Sequence, residues 1–596
     1  MIEKILAEKA TEAISLLYGH QIGPSTVTVQ KTRPEFKGDL TIVVFPLARF
    51  SGKSPEETGK EIGNWLQQNL GLVTSYNVVK GFLNLVISDD FWVDFFSTSL
   101  VNPAYGFFPE DNSAPVVIEF SSPNTNKPLH LGHIRNNLLG WSVAEILKAN
   151  GKKVIKVNLV NDRGIHICKT MLAYRRWAVG VIPGKKGLKG DKFVGNLYVQ
   201  FEQANKKEID SLIKKGLPED EAYRQSGLTQ QALDLLQQWE AGDQETRELW
   251  KTMNNWVYEG FGLTYKRLGI DFDKIYYESE TYLLGKDLVR EGLGKGVFCR
   301  KDDGSIWVDL KDFKLDEKLL LRADGTSVYI TQDLGTAQLR ADEYKPGQLL
   351  YVVGNEQIYH FDVLKILLKL LGRSWSDQIL HLSYGMVELP QGKMKSREGT
   401  VVDADELMDD MFETAKKTTS ELGKLDNPDD LEWNDLFEML GMGALKYFIL
   451  RVDPKKNMLF NPEESIDFNG HTGPFIQYTH ARVRSLLGKA ESRGFRSPGF
   501  NFDGSVHILP KEKEILKLLY EFPAAVSEAG KNLSPAVIAN YCYELAREYN
   551  QFYHEIPVLR EPDIEKVRFR LALTEFTGNV IKRGMGLLGI QVPEKM

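Results

Sequence analysis

The chain of 596 residues contains very little cysteine, and its three cysteines, Cys168, Cys299 and Cys542, lie far apart. Their number is odd and no Cys-x-x-Cys motif occurs. Neither a disulfide framework nor a cysteine zinc site is therefore expected to hold the fold together. Sparse, unpaired cysteine is typical of proteins in a reducing compartment, so we expect a cytoplasmic protein.

Long apolar runs and an excess of positive charge are also missing. The longest apolar candidate, residues 363–371, is broken by Lys365 and Lys369, whereas a membrane span needs ~18 apolar residues in a row. We expect no membrane association. Residues 1–17 mix charged and apolar side chains, which predicts an amphipathic helix rather than a secretory signal. The net charge of −7 means that an RNA partner would need local basic patches.

Hydrophobic residues make up 42% of the chain, enough to bury several cores. Residues 1–112 are predicted to form an α+β domain, because an opening helix is followed by apolar stretches at 41–45 and 82–87. Between those stretches, Ser54 followed by Glu57 three residues later predicts a capped helix start. The domain ends in a segment rich in proline, glycine and polar residues, which is interpreted as a linker.

The next region, residues 113–470, predicts an α/β fold with a Rossmann-like, doubly wound parallel sheet. A β-branched strand at 116–120, a helix at 132–150 and a second strand at 153–160 form a βαβ pattern. A similar rhythm returns at 348–387. Ligands of such sheets bind at the carboxyl ends of the strands, where the strand order reverses.

Helical patterns dominate two further regions. Residues from about 184 to 282 separate the two βαβ blocks and are interpreted as an insertion, helical from Asp191 to Tyr258. From residue 471 to 596 the pattern is almost entirely helical, which predicts an all-α helix bundle as the third domain. The apolar residues that lie near helical spacing on one face there are Val537, Ile538, Tyr541, Leu545, Tyr549 and Phe552.

The sequence SSPNTNKPLHLGH, residues 121–133, follows the first sheet strand and opens the next helix. Its histidines, His130 and His133, flank Gly132 at a helix N-terminus, where free N–H groups and a partial positive charge attract phosphate. Glycine has no Cβ, so a base or ribose can approach the backbone at Gly132. The histidines can donate hydrogen bonds to phosphate oxygens as charge develops in a transition state.

Two alternative site types fit this sequence less well. A His-x-x-His metal site needs a third ligand, and the nearby His166 and Cys168 are weak partners, so we predict no metal ligands. Gly52-Lys53-Ser54 resembles the end of a P-loop, but the first glycine of that motif would fall on Leu47.

A basic loop, residues 389–402, follows a strand of the second βαβ block. It carries Lys393, Lys395 and Arg397 among glycines and a proline. Mobile loops with cations suit the stabilisation of a leaving pyrophosphate. The position after a sheet strand distinguishes this loop from an ordinary solvated one.

Together, the strand, the HLGH motif at a helix start and the Lys-Met loop resemble the class I aminoacyl-tRNA synthetases. IEFSSPNTNKPLHLGHIRNNLLG, KGDKFVGNLYVQF, SVYITQDLGTA, FIQYTHARVRS and MGLLGIQVPEKM are similar to arginyl-tRNA synthetases, in matches that span the chain. The resemblance implies a ligase that activates L-arginine with ATP and Mg²⁺, then transfers it to the terminal ribose of tRNA(Arg). It also implies that tRNA must be bound before activation proceeds.

The resemblance further assigns roles to single residues. It implies catalytic roles for His130, His133, Lys393, Lys395 and Arg397. It implies ATP contacts at Pro123, Leu131, Gly132, His133, His360 and Met394. It implies arginine contacts at Glu119, Asn124, Tyr329, Asp333 and Gln357. A planar guanidinium needs facing carboxylates, and Tyr329 and Asp333, four residues apart, would share one face of a helix.

Two positions depart from the family pattern. Where the class carries Lys-Met-Ser-Lys-Ser, this chain has Lys393-Met394-Lys395-Ser396-Arg397, so the second lysine is displaced. Which of the three cations meets phosphate stays open. His166 stands where many members have glutamine, and no role is assigned to it.

RNA binding is expected in the C-terminal region. Residues 473–500 contain five basic side chains against one acid, Glu491. Candidates for stacking on unpaired bases are Gln477, Tyr478, Tyr549 and Phe552. The resemblance implies that residues 471–596 bind the anticodon and that residues 1–112 contact the tRNA elbow. We expect a monomer.

Two other functions share part of these features. A small-molecule nucleotidyltransferase has the sheet and the His-x-Gly-His motif, but has no use for a helical C-terminal domain. A non-catalytic RNA-binding relative would keep that domain and lose the site. The presence of His130, His133, Tyr329 and Asp333 argues against such a relative.

Overall fold

The computed structural model describes residues 2–33, 35–388, 402–421, 431–495 and 508–596. These residues fall into two compact units. Unit 1 consists of Met1–Tyr105, Ala490–Tyr520 and Gln551–Phe576. Unit 2 consists of Gly106–Lys489, Glu521–Asn550 and Thr577–Met596.

Strands and helices alternate through the first two thirds of the chain, and helices alone follow. The strands are β1 (Val29–Lys31), β2 (Leu40–Val43), β3 (Val73–Val79), β4 (Phe82–Ile87), β5 (Val116–Glu119), β6 (Val154–Val160), β7 (Lys274–Tyr277), β8 (Cys299–Arg300), β9 (Ile306–Val308), β10 (Lys318–Leu321), β11 (Gln348–Gly354), β12 (Ile379–Tyr384), β13 (Val387–Glu388) and β14 (Met458–Leu459).

The first group of α-helices precedes β11 in the chain. Its members are α1 (Ile2–Tyr18), α2 (Phe45–Ser51), α3 (Pro55–Asn69), α4 (Asp89–Leu100), α5 (Leu131–Ala149), α6 (Ile165–Trp177), α7 (Gly190–Lys214), α8 (Glu219–Gln225), α9 (Gly227–Glu240), α10 (Gln244–Leu268), α11 (Glu278–Thr281), α12 (Gly285–Gly294) and α13 (Tyr329–Tyr344).

The second group follows β11. Its members are α14 (Ile358–Leu370), α15 (Ala404–Glu421), α16 (Leu431–Leu450), α17 (Pro462–Ser465), α18 (Gly473–Ser492), α19 (Pro510–Asn532), α20 (Pro535–Glu555) and α21 (Ile564–Leu587). Short 3₁₀ helices occur at Pro24–Thr26, Pro183–Lys186, Lys311–Phe313, Asn355–Gln357 and Ser374–Gln378.

The N-terminal part of unit 1 is a small α+β fold, as expected from the sequence. Its antiparallel sheet has the order β1-β2-β4-β3. The predicted capping box opens α3. The Glu57 N–H donates to Ser54 Oγ at 3.2 Å, and the Ser54 N–H donates to Glu57 Oε2 at 3.2 Å. Two otherwise unpaired N–H groups are satisfied, which fixes the helix start.

Unit 2 is built on a parallel sheet with the order β12-β11-β5-β6-β7. The strand β6 follows β5 on one side, whereas β11 pairs with β5 on the other side. The strand order therefore reverses between β5 and β11, which is the doubly wound topology predicted from the sequence. The carboxyl ends of these two strands form the edge where ligands are expected.

The insertion consists of the helices α7 to α10. The strand β7 lies within the range 184–282 that the sequence assigned to the insertion, yet it forms the edge of the sheet next to β6. Beyond β7, the strands β8 to β10 form a small antiparallel sheet. The strand β13 pairs in parallel with β14, Val387 with Met458 and Glu388 with Leu459.

One face of the parallel sheet packs against α12, α13 and α14. Alternate strand residues supply the sheet side of this buried cluster: Val117, Val157, Tyr276, Leu349 and Tyr351. Side chains two residues apart share a face of a strand. Glu119, two residues after Val117, therefore faces the same helices at the end of β5.

Glycine allows α12 to approach α13 closely. A Cβ placed on Gly285 would lie 1.7 Å from the carbonyl oxygen of Thr331, and one on Gly335 would lie 2.5 Å from the Gly285 nitrogen. Neither backbone atom can move without shifting a helix. This contact helps to set the position of α13, which carries Tyr329 and Asp333.

We expect Gly285→Ala to lower the midpoint of thermal unfolding, because the added methyl group overpacks the α12–α13 contact at a cost of about 1–3 kcal/mol. The matched control is Gly294→Ala in the same helix, where an added Cβ meets no atom within 4 Å. The control should leave the midpoint unchanged or slightly higher, since alanine favours helix. Equal midpoints for the two variants, measured by circular dichroism, would contradict the close packing.

Candidate active site at the carboxyl ends of the central strands

The chain leaves β5 through a strained turn. Ser121 and Ser122 have φ values of 80° and 46°, in the left-handed region that residues with a Cβ rarely adopt. Hydrogen bonds hold this turn: the Ser122 N–H donates to Asn158 Oδ1 at 3.0 Å, and the Ser121 N–H donates to Asn136 Oδ1. The turn directs the following residues back over the sheet edge, where α5 begins.

The two histidines of the HLGH motif close the first turn of α5. The Gly132 N–H donates to His130 Nδ1 at 3.1 Å, and the His130 N–H donates to His133 Nδ1 at 3.2 Å. The two rings are 3.9 Å apart between centroids. This is a capping box in which imidazole nitrogens take the place of the usual hydroxyl and carboxylate oxygens.

Both histidines are neutral. Burial and the nearby Lys127 ammonium lower the pKa of His130 to about 3. Burial, together with His130 and Lys127, lowers the pKa of His133 well below its usual range. Because each Nδ1 accepts a hydrogen bond, the single proton of each ring lies on Nε2. Each ring therefore offers one fixed N–H donor and carries no positive charge.

A pocket of about 320 Å³ opens at this edge of the sheet. A volume of this size is typical of small-molecule sites. Its lining residues are Ser121, Ser122, His130, Gly132, His133, Asn136, Val352, Val353, Tyr384, Met386 and Val387. Of the predicted ATP residues, Gly132 and His133 line the pocket, whereas Pro123 and Leu131 are buried and are not among its lining residues.

The predicted Lys-Met loop is framed by two anchored points. On one side, Val387 lines the pocket. On the other side, Val402 accepts a hydrogen bond from the Leu131 N–H at 3.2 Å, and the Ala404 N–H donates to Leu129 at 2.9 Å. The predicted site residues between them, Lys393, Met394, Lys395 and Arg397, lie outside the described residues.

Arg135 connects α5 to the chain on either side of this region. Its guanidinium is fully buried and donates to three backbone carbonyls, Met386 at 3.0 Å, Pro454 at 3.1 Å and Lys456 at 2.7 Å. No carboxylate pairs with it among the ion pairs of the described residues, and burial lowers the pKa of Arg135 to about 10. The segments that lead into β13 and β14 are thus tied to the helix that carries the histidines.

Asp333, predicted to meet arginine, lies on α13 and contacts His360. His360 Nε2 donates to Asp333 Oδ2 at 2.6 Å. His360 was predicted to contact ATP, but its described hydrogen bond joins it to the arginine group. Tyr329 is 77% exposed at the start of α13, and Asn124 and Gln357 are also exposed. Within the described residues, no side-chain hydrogen bond joins these three to Asp333.

Glu119 forms a buried ion pair that the sequence did not reveal. Its Oε2 contacts the guanidinium of Arg340, which is 1% exposed. Its Oε1 accepts from Ser122 Oγ at 3.1 Å, which connects Glu119 to the pocket lining. Glu119 also stands in register with Tyr351 on the neighbouring strand. Burial raises the pKa of Tyr351; the Arg340 guanidinium opposes this rise, and the carboxylates of Glu119 and Asp333 add to it.

A further carboxylate, Glu278, was missed from the sequence. It follows β7 directly and is 9% exposed. Burial raises the pKa of Glu278 to about 7, opposed by Arg163 and increased by the charges of Asp162 and Asp333. The signal that could have found Glu278 is its position at the carboxyl end of a sheet strand, but that strand was counted in the insertion.

Three of the four predicted base-stacking residues are fully buried. Tyr549 and Phe552 are fully buried, and so is Gln477, which donates to Met439 O at 3.0 Å and Gln591 O at 2.7 Å. These three were wrong as stacking candidates, because they belong to the core of the helices. Tyr478 is half-buried, with the Arg482 guanidinium 4.9 Å from its ring centroid.

Comparison with known proteins identifies the family to which the chain belongs. Residues 100–461 match the family described as tRNA synthetases class I (R), catalytic domain, and residues 476–596 match the DALR anticodon binding domain. The chain belongs to the arginyl-tRNA synthetases. The arginine–tRNA ligase of Parabacteroides distasonis is 55% identical over 597 residues, with 100% of both chains covered. That of Amoebophilus asiaticus is 51% identical over 595 residues, again with 100% of both covered.

A solved structure supports the same family. The arginyl-tRNA synthetase of Thermus thermophilus is 25% identical and superposes with a TM-score of 0.79, covering 100% of each chain. The family, the ligase class and the α/β fold with a helical C-terminal domain, all expected from the sequence, are confirmed. No helix among the described residues of the enzyme has the length and apolar character needed to cross a membrane.

The low pKa values of the histidine pair predict how the two rings are protonated at acidic pH. We expect both rings to carry a proton only on Nε2 at pH 5, where an ordinary imidazole is charged, because the pKa of His130 is about 3 and that of His133 is strongly lowered. The ¹⁵N shifts of ring-labelled histidine measure this directly. His130→Gln and His133→Gln assign the two signals. A ring that is doubly protonated at pH 5 would contradict the assignment.

Proposed function

We propose that this enzyme joins L-arginine to tRNA(Arg) in two steps. A carboxylate oxygen of arginine attacks the α-phosphate of ATP, pyrophosphate leaves, and arginyl-adenylate forms. The hydroxyl of the terminal ribose of tRNA then attacks the adenylate carbonyl, and AMP leaves. The single observation that carries the assignment is the neutral histidine pair at the start of α5, at the same sheet edge as Glu119 and Asp333.

We assign the phosphate chemistry to His130 and His133. Their Nδ1 atoms are occupied by backbone N–H groups, so the rings are held in one orientation before substrate binds. Fixed donors need no reorganisation when negative charge develops on the α-phosphate. Neutral donors also release the adenylate and pyrophosphate more readily than permanent cations would, because their interaction with the ground-state charges is weaker.

We assign arginine recognition to Glu119 and Asp333, with Tyr329, Asn124 and Gln357 as further predicted contacts. Support comes from the position of Asp333 on α13 beside His360, at 2.6 Å, and from the bond of Glu119 to Ser122 in the pocket lining. Two carboxylates near one pocket suit a planar cation with five donors. The contacts of ATP with Pro123, Leu131, Gly132, His360 and Met394 stay predictions.

We assign the leaving pyrophosphate to the cations of the Lys-Met loop, Lys393, Lys395 and Arg397. Chain connectivity supports this, since the loop joins Val387 in the pocket lining to Val402 beside Leu131. ATP is expected to enter as its Mg²⁺ complex. In the described part of the chain no three His, Cys, Asp or Glu side chains are close enough to hold a metal ion, so the ion would be held by phosphate oxygens and water.

We further propose three domains with separate roles. Residues 1–112 would contact the tRNA elbow, residues 113–470 would carry the chemistry, with the insertion at about 184–282, and residues 471–596 would bind the anticodon. The match of residues 476–596 to an anticodon binding domain supports the last of these roles. A cytoplasmic monomer is expected, as it was from the sequence.

The experiment that tests this function is arginine-dependent exchange of pyrophosphate into ATP, with and without tRNA(Arg). Exchange that requires both arginine and tRNA(Arg) is expected. Exchange without arginine would indicate a different nucleotidyltransferase. Binding of tRNA with no exchange under any condition would indicate a non-catalytic relative.

Asp333→Asn should reduce kcat/KM for arginine by about two to four orders of magnitude. The substitution keeps the size of the side chain but removes the charge that faces the guanidinium, and loss of one member of a buried ion pair costs about 3–5 kcal/mol. The control is Asp342→Asn, an exposed aspartate on the same helix that accepts a hydrogen bond from Gln338. Near-parental kcat/KM in the Asp333 variant would remove Asp333 from the arginine site.

His133→Ala should lower kcat by about 10²–10³ while changing KM for arginine little, because the donor acts mainly as charge develops. His133→Gln is the matched control for helix capping, since glutamine at this position can still accept from the His130 N–H. Thermal melts of both variants show how much stability is lost with the cap. The fall in kcat of His133→Ala should be larger than that loss of stability can explain. A main effect on KM for arginine would make His133 a binding residue instead.

A further inference from the structure

Arg340 is an internal guanidinium at the site where a guanidinium substrate is proposed to bind. It lies on α13, seven residues after Asp333, so the two residues share one face of the helix. Its Nη1 pairs with Glu119 Oε2, and it is 1% exposed. Its Cζ lies 5.0 Å from the ring centroid of Tyr276 and 5.7 Å from that of Tyr351. The side chain is therefore fixed by one carboxylate and two aromatic rings.

This arrangement changes the charge that Glu119 can offer. A carboxylate paired with a buried guanidinium forms a group with no net charge. One of its oxygens, Oε2, contacts Arg340, and the other, Oε1, accepts a hydrogen bond from the neutral hydroxyl of Ser122 at 3.1 Å. Asp333 differs, because its described partner is His360. Of the two carboxylates, only Asp333 has no arginine or lysine paired with it in the described residues.

We propose that Arg340 is a positioning residue for arginine recognition, which neutralises Glu119 and holds it so that Glu119 Oε1 reads the substrate by a hydrogen bond. The attraction for the positive charge of the substrate then comes from Asp333. This inference rests on the proposed function and deepens it. Glu119 recognises the substrate by a hydrogen bond, and Asp333 attracts its positive charge.

This division of roles between Glu119 and Asp333 predicts how arginine binding differs among variants. Glu119→Gln leaves Arg340 as an uncompensated buried cation beside the pocket, where it repels the substrate guanidinium. Arg340→Met added to Glu119→Gln removes that cation as well. The double variant should therefore bind arginine better than the single Glu119→Gln variant. If Glu119 instead supplies the charge that attracts arginine, the double variant should remain far weaker than the parental enzyme, because the attracting charge is missing from it.

The test is a double-mutant cycle of Glu119→Gln and Arg340→Met in the full-length enzyme, read as KM for arginine and for ATP in tRNA-dependent pyrophosphate exchange. We expect KM for arginine to rise about 100-fold in Glu119→Gln and to fall back about tenfold or more in the double variant, because breaking a buried pair leaves one charge unpaired. KM for ATP should stay within about twofold. A double variant no better than Glu119→Gln overturns the proposal.

A matched control uses another arginine–glutamate pair of unit 2 that includes none of the predicted site residues. Arg373 Nη1 and Nη2 contact Glu291 Oε1 and Oε2 at 3.0 and 2.6 Å. The same cycle at Glu291 and Arg373 should leave KM for arginine unchanged. A recovery of equal size there would mean that the effect at Arg340 reflects stability alone, which overturns the proposal.

A conservative variant covers the case in which Glu119→Gln does not fold, as judged by its thermal melt. Arg340→Lys keeps the positive charge but loses the planar fork that orients Glu119. We expect KM for arginine to rise by about three- to tenfold with kcat unchanged, and an unchanged KM overturns the proposal.

The parental enzyme is measured first. Absence of arginine-dependent exchange in the parent overturns the proposed function, whereas an active parent without rescue in the double variant overturns only the role of Arg340.

Discussion

The pairing of β5 with β11 and β6 sets the position of every group in the candidate site. Glu119 stands opposite Tyr351 on one side and Val157 on the other. The chain leaves the sheet directly after this point, so the strained turn at Ser121 and the start of α5 follow from it. A slip of one residue would turn Glu119 to the other face of the sheet, away from α13. The pocket, the histidines and the carboxylates are therefore all positioned by the register of these three strands.

The electrostatic character of the site differs between its two parts. Around His130 and His133, burial suppresses positive charge, so the fixed groups are neutral donors. Around α13, Glu119 is paired with the guanidinium of Arg340, whereas Asp333 accepts a hydrogen bond from His360. The proposed nucleotide site thus carries neutral donors, whereas the proposed arginine site keeps the negative charge of Asp333.

The sequence predicted the features that depend on local pattern and missed those that depend on distant pairing. The strand at β5, the helix α5 and the capping box at Ser54 follow from periodicity and cap chemistry, and each is found within one residue of its expected bounds. The strand β7 has only four residues in a polar region, so no periodic signal marks it. Tyr549 and Phe552 fit a base-stacking surface and a helix core equally well by spacing, and burial decides for the core. The partner of Glu119 could not be found, because Arg340 reaches it only after the sheet has formed.

Arg135 holds its neighbours through peptide carbonyls at Met386, Pro454 and Lys456. Every residue type has such a carbonyl, so the contact itself requires no particular side chain at these three positions. Chain length is not free in the same way, because inserting or deleting a residue between 454 and 456 would move one carbonyl off the guanidinium. Relatives of this enzyme should thus tolerate varied composition at these positions, but not varied spacing.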